Sequence, residues 1–185
     1  MNLISVLLLI GCFSNPTKFH VLYEVGRPAS IEYNNAKRTV GEKWNILWVY
    51  ADDNRVETTG YEKIGSHNDS VMAVIAKKKG ENWQEKFYSQ LDEELIKQNR
   101  IREKLKSNKE YELVSEKLIE PYILFKTKNK KQSKYEVHIV GQKKEDPSEG
   151  FITLCKFDFK PLKSPHSFDC KEQSLTLFFP QNGIK

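Results

Sequence analysis

The chain lacks every short motif that would announce a familiar active site. There is no P-loop, no Gly-x-Gly-x-x-Gly, no Gly-x-Ser-x-Gly and no His-Glu-x-x-His. Its four histidines, His20, His67, His138 and His166, are far apart, and none has a partner at metal-ligand spacing. No apolar run is long enough to cross a bilayer as a mature helix, since the longest N-terminal one stops after Leu3 to Ile10. No Lys or Arg precedes that run, and no internal repeat is present. There are only three cysteines, an odd number that asks for an explanation in an exported chain.

What is present suits one soluble domain. At 185 residues the chain can bury a real core, and 38% hydrophobic with 30% charged residues excludes a disordered composition. The net charge of +5 is mildly basic. Lys and Arg are spread and interleaved with acids, so charge alone identifies no partner and no specific nucleic acid is expected.

Leu3 to Ile10 has the length of a signal-peptide h-region. It ends in Leu9-Ile10-Gly11-Cys12, which resembles a bacterial lipobox, with a leucine three before the cysteine and a small residue before it. That resemblance implies a diacylglyceryl group on the Cys12 sulfur, cleavage before Cys12, and a bacterial cell-envelope location. The implied organisation is a signal peptide over 1–11, a tether over 12–18 and a single α+β domain over 19–185. The remaining cysteines, Cys155 and Cys170, then face an oxidising compartment. Folding Phe151–Phe159 onto Ser167–Ser174 about the turn Pro161–Pro165 sets them opposite each other, with Phe157 against Phe168 and Lys156 across from Asp169. This register predicts a disulfide.

The longest patterned stretch runs from Gly80 to Asn108. On a helical wheel Trp83, Phe87, Tyr88, Leu91, Leu95, Ile101 and Leu105 share an arc of roughly 140°. This predicts a long amphipathic helix over about 82–106, with Asn82 and Glu85 at capping-box spacing. Asp92, Glu93 and Glu94 read as a solvated charge run. Upstream, Phe19 to Val25 alternates as a strand, Ser30 caps a helix to about Lys43, and Trp44 to Tyr50 is a strand apolar enough for the inside of a sheet. Strand, helix, strand permits a parallel crossover. Ala51 to Gly65 reads as loop, and a helix over about Asp69 to Lys79 ends at Gly80, its three terminal lysines meeting the helix dipole.

From Tyr122 the period is two. A hairpin centred on Lys128–Ser133 sets Leu124 against Val137 and Tyr122 against Ile139, followed by strands over Phe151–Phe159 and from Ser167. Residues 108–120 fit a short helix or a strand. Helices first and a β-meander last make an α+β fold, with the long helix across one sheet face.

Glu42-Lys-Trp-Asn-Ile46 and Ala76-Lys-Lys-Lys-Gly-Glu-Asn-Trp-Gln-Glu-Lys-Phe87 resemble blocks of FEKKY-domain-like secreted or lipid-anchored proteins of Flavobacterium-type bacteria. Tyr135 to Ile139 and Phe151 to Phe159 resemble their closing meander, although 51–60 lacks the cysteine of that pattern. The resemblance implies an envelope location and no catalytic residues.

The chemistry weighed along the chain is thin. Asp52, Asp53 and His67 read as a turn and a cap neighbour rather than an acid–base group, and His138 reads as an exposed strand histidine. The dense basic hairpin, Lys126, Lys128, Lys130, Lys131 and Lys134, is the candidate anion-binding patch, for anionic lipid or an envelope polymer. The leading expectation is a non-catalytic, lipid-anchored envelope protein of structural or binding role, held to the membrane through Cys12, without metal or cofactor. The alternatives are an envelope hydrolase with an unrecognised site and a polyanion binder, the latter favoured if the lysines of 126–134, 77–79 and 143–144 converge.

Overall fold

A computed structural model of the chain describes residues 19–51, 58–129, 134–159 and 173–174, with no side-chain description at 58, 59, 129, 134, 149, 173 and 174. The fold is α+β. In order it runs β1 (His20–Val25), α1 (Ile31–Trp44), β2 (Ile46–Ala51), α2 (Thr58–Lys79), α3 (Trp83–Lys106), α4 (Lys109–Ser115), β3 (Leu118–Asn129), β4 (Lys134–Lys143), β5 (Phe151–Phe159) and β6 (Gln173–Ser174). β1 and β2 pair in parallel, and β3-β4-β5-β6 form an antiparallel sheet.

Helix α1 begins where the sequence places it, because the Ser30 hydroxyl accepts from the Tyr33 amide at 3.2 Å. It ends on Asn45 in the left-handed conformation, whose carbonyl accepts from the His20 amide at 2.8 Å and so ties the start of β1 to the turn into β2. Gly41 permits this closeness, since a Cβ there would meet the Ile46 carbonyl oxygen at 2.5 Å. Gly80, at φ +95°, ends α2 as expected.

Two hydrophobic cores share α3. Trp83, Phe87 and Leu91 sit in one with Leu22, Val40, Ile46 and Ile75. Ile101 and Leu105 sit in the other, under the β3-β4-β5 sheet with Tyr111 and Val114 of α4. Residues 108–120 therefore divide between helix and strand.

Several expectations are corrected. Helix α2 starts at Thr58 and not near Asp69, so residues 58–65, expected as loop, are helical. The Asn68 side chain accepts from the Tyr23 amide at 2.9 Å and donates to the Tyr23 carbonyl at 2.8 Å, acting as a strand neighbour along β1. Asn82 occupies the cap of α3 without a side-chain cap bond. Tyr88, expected inward, is 42% exposed. Among the described residues β2 is an edge strand rather than an inner one.

The hairpin register is one residue away from the expected one. Phe125 faces Val137 and Ile123 faces Ile139. β3 carries irregularities between Ile119 and Tyr122 and between Thr127 and Asn129, so the loop is not its centre of symmetry. A slip of one exchanges the faces, which puts Ile123 and Phe125 in the core under α3. Strand β6 pairs Ile152 with Ser174 and Thr153 with Gln173, again one residue from the predicted register. Leu154 is skipped in the ladder between β4 and β5, and the residues that would face Cys155 from the other side lie outside the described residues.

Because Phe87 is fully buried while Glu93 is exposed, the two should differ sharply in stability measurements. Phe87→Ala is expected to cost about 3–5 kcal/mol in denaturant unfolding. Glu93→Ala should cost less than about 0.5 kcal/mol.

Candidate functional site

Where α3 passes from one core to the other it buries polar groups. Glu94, Gln98 and Arg102, spaced by four, are 4%, 0% and 4% exposed. They face α1, β3 and β4. One Glu94 oxygen accepts from the Tyr135 hydroxyl at 2.6 Å and from the Gln98 amide at 3.0 Å. The other accepts from the Lys43 ammonium at 3.1 Å. Gln98 also donates to the Thr39 hydroxyl at 3.3 Å and accepts from Arg102 at 3.2 Å. Arg102 donates further to the Ile123 carbonyl at 3.2 Å and to Asn99 at 2.7 Å, over the face of Phe125 at 5.0 Å. Beside it Asn35 of α1 donates to the Phe125 carbonyl at 2.9 Å and accepts from its amide at 2.8 Å.

The charges follow from these contacts. Burial pulls the Glu94 carboxyl upward, but the bonds from Tyr135 and Gln98 and the charge of Lys43 outweigh it and hold it below its ordinary value. Burial, then the bond to Glu94, drives the Tyr135 phenol up. Burial lowers the Arg102 guanidinium to about 10, still charged at neutral pH. Both Glu94 oxygens and both ends of the Gln98 amide are committed to neighbours inside the fold. This seam is built to orient α1, α3 and the sheet.

A second polar group lies at the carboxyl ends of β1 and β2, where parallel α/β units commonly receive ligands. Lys37 is 4% exposed, pairs with Glu24, and stands over the Trp48 ring at 3.9 Å. The Tyr50 hydroxyl donates to Asn34 at 3.1 Å. Burial raises the phenols of Tyr33, Tyr50 and Tyr88, with the Glu24 charge adding to it in each. Burial, opposed by the bond and charge of Glu24, lowers the Lys37 pKa.

The candidate residues read from sequence scatter. In the basic hairpin Lys126 is exposed, while Lys128 is held by Asp158 at 2.5 Å and Glu136 at 3.5 Å. Lys134 opens β4, and Lys130 and Lys131 lie outside the described residues. Lys134 and Lys143 stand at opposite ends of β4, about 30 Å apart at strand rise. Lys134 and Lys143 therefore do not converge on one surface.

His138 is buried, not exposed, with its Nε2 2.8 Å from Glu136. His67 reaches the Val21 carbonyl at 3.0 Å and meets the Tyr23 ring edge-on. Cys155 is fully buried and is not a free thiol. Cys170 lies outside the described residues, as do Cys12, Asp52, Asp53 and His166, so no complete disulfide is among them. Among the described residues no group of three or more His, Cys, Asp or Glu could hold a metal ion.

Glu94, Lys37 and Glu24 were missed by reading charge as surface. The signal for Glu94 lay in spacing, because Phe87, Leu91, Glu94, Gln98, Ile101 and Leu105 follow intervals of four, three, four, three and four.

No family model matches the chain, and no curated protein or solved structure does either.

The seam makes a pH-dependent prediction. Glu94 has a folded value below its ordinary 4.5, so its stabilisation is full above about that pH and is lost as pH falls through the folded value. Glu94→Gln should destabilise by about 1–3 kcal/mol at neutral pH. The gap from wild type should stay level from neutral pH down to about 5 and narrow as pH falls further in urea titrations.

Proposed function

We propose that the chain is a non-catalytic, lipid-anchored protein of the bacterial cell envelope that presents residues 19–185 as a single α+β domain for binding or structural work. The observation that carries this reading is Leu9-Ile10-Gly11-Cys12 at the end of a short apolar run. The cysteine inventory supports it. Lipidation accounts for the odd cysteine, and a Cys155–Cys170 bridge accounts for the pair that remains in an oxidising compartment. That Cys155 is not a free thiol agrees with such a bridge. The resemblance to FEKKY-domain-like secreted proteins points to the same compartment.

The polar groups of the domain also fit this role. Its most enclosed ones are committed to each other across α1, α3 and the sheet. Two open depressions, of about 560 Å³ beside Leu113, Leu154 and Cys155 and about 430 Å³ beside Ile96, Arg100 and Phe159, hold neither the seam nor the Lys37–Glu24 pair. Among the described residues no helix is long and apolar enough to cross a membrane, so in this reading attachment comes through the lipid.

Intact-mass analysis of protein purified from the envelope should give a chain beginning at Cys12 and carrying acyl groups. Cys12→Ser should leave an unprocessed, unacylated chain. A mature terminus elsewhere would overturn the reading.

Thiol counting on the same material tests the bridge. Under denaturing, non-reducing conditions no thiol should titrate, and two should appear after reduction. Two free thiols before reduction would refute the pairing.

A further inference from the structure

We infer that Lys77, Lys78 and Lys79, at the end of α2, form a membrane-facing contact that seats the tethered domain on anionic phospholipid headgroups. This rests on the lipid-anchored reading for its geometry and adds to it a surface and a ligand class.

The position of the three lysines carries the argument. Helix α2 runs back along β1, with Asn68 beside Tyr23 and Lys78 beside His20. The Lys78 ammonium is 3.5 Å from His20 Nε2, and His20 is the first residue of β1. Lys79 lies over the face of Trp44 at 5.8 Å. The basic end of α2 thus adjoins, through Lys78, the point at which the chain from Cys12 enters the fold. Eight residue steps separate Cys12 from His20, which reach at most about 29 Å even when fully extended. A lipid on Cys12 therefore keeps His20 within that distance of the bilayer surface, and Lys78 lies beside His20.

Charge and exposure fit the same surface. All three side chains are exposed, and among the described residues none of them pairs with a carboxylate. Burial, and then the charges of Lys78 and Lys79, hold the His20 imidazole below its ordinary pKa, so it adds no charge of its own at neutral pH. Lys43, on the same end of α1, is already engaged with Glu94, and the nearest acid in sequence is the exposed Glu81. Trp44 is half-buried and donates its ring N–H to Gln90 at 2.9 Å, an aromatic of the kind that sits well at headgroup level. Lysines near an anionic leaflet each add attraction that is screened by salt. Lys128 of the hairpin, by contrast, is paired with Asp158 and Glu136.

The test uses the mature chain, residues 12–185, carrying Cys12→Ser, so that vesicle binding depends neither on acylation nor on the apolar run Leu3 to Ile10. Cosedimentation is measured with phosphatidylcholine vesicles and with vesicles of roughly one-third phosphatidylglycerol. Binding should be stronger to the anionic vesicles and fall with salt. Lys77→Glu with Lys78→Glu and Lys79→Glu should lower it on the order of tenfold or more. Lys104→Glu with Lys106→Glu and Lys109→Glu, equal in charge but on the other core, should leave it within about twofold. The triple Lys→Gln variant at 77–79 should show a smaller loss, with thermal melts confirming that each variant folds.

Equal binding by wild type and the 77–79 reversal would overturn the inference. So would an equal loss from the distal reversal, or tighter binding of a single-stranded oligonucleotide than of anionic vesicles through the same lysines. Vesicle binding that requires Lys77–Lys79 in a protein whose mass shows no acyl group on Cys12 would uphold the contact and sink the anchor.

Discussion

A carboxylate can be buried at the middle of α3 only if donors reach it from several directions at once. Glu94 receives them from Tyr135 on β4, Gln98 on α3 and Lys43 on α1. Each arrives from a different element, so one charge fixes the placement of three. The cost of desolvating Glu94 makes any other arrangement of these elements unfavourable, whereas two apolar cores alone would tolerate sliding along the helix. Gln98 and Arg102 extend the same constraint to β3 through the Ile123 carbonyl. The polar seam thus supplies direction to packing whose energy comes from the cores on either side.

Two asparagines apply the same principle to strand edges. A strand edge leaves backbone amides and carbonyls that must find partners when covered. Asn35 gives Phe125 of β3 both of its missing bonds, and Asn68 does so for Tyr23 of β1. An amide side chain carries a donor and an acceptor at the spacing of a peptide group, so a helix can close an edge without adding a strand. Among the described residues this lets the parallel pair β1-β2 stand among α1, α2 and α3 with the β1 edge covered.

What was legible in the sequence was what local chemistry decides. The Ser30 cap, the stop at Gly80, the course of α3 and the span of β5 each depend on a few neighbouring residues. The register of β3 against β4 was not legible, because irregularities near Glu120 and Lys128 depend on how the sheet meets α1 and α3. The early start of α2 was hidden because residues 58–65 have little apolar period, so the usual helical signal is weak there. Glu94 was misread for a related reason: a charge at a core position looks like a surface residue until its partners arrive from elsewhere in the chain. Lys37 and Glu24, thirteen apart, become a pair only once α1 packs back on β1.

The concentration of lysine at one end of the N-terminal half follows from topology. When a helix joins two parallel strands it must run back along them, so its C-terminus lands where the second strand begins. The first strand begins at that same end. Helix α1 therefore finishes beside His20, and α2, returning after β2, finishes there too. Both helices present the negative ends of their dipoles at this edge, which favours the cations Lys43 and Lys77–Lys79. Any segment that enters the fold through β1 must emerge among those cations. Helix-end stabilisation and attraction to an anionic surface thus call for the same residues at the same place, which is why the lysine run could be read from sequence as a helix terminus without revealing what it faces.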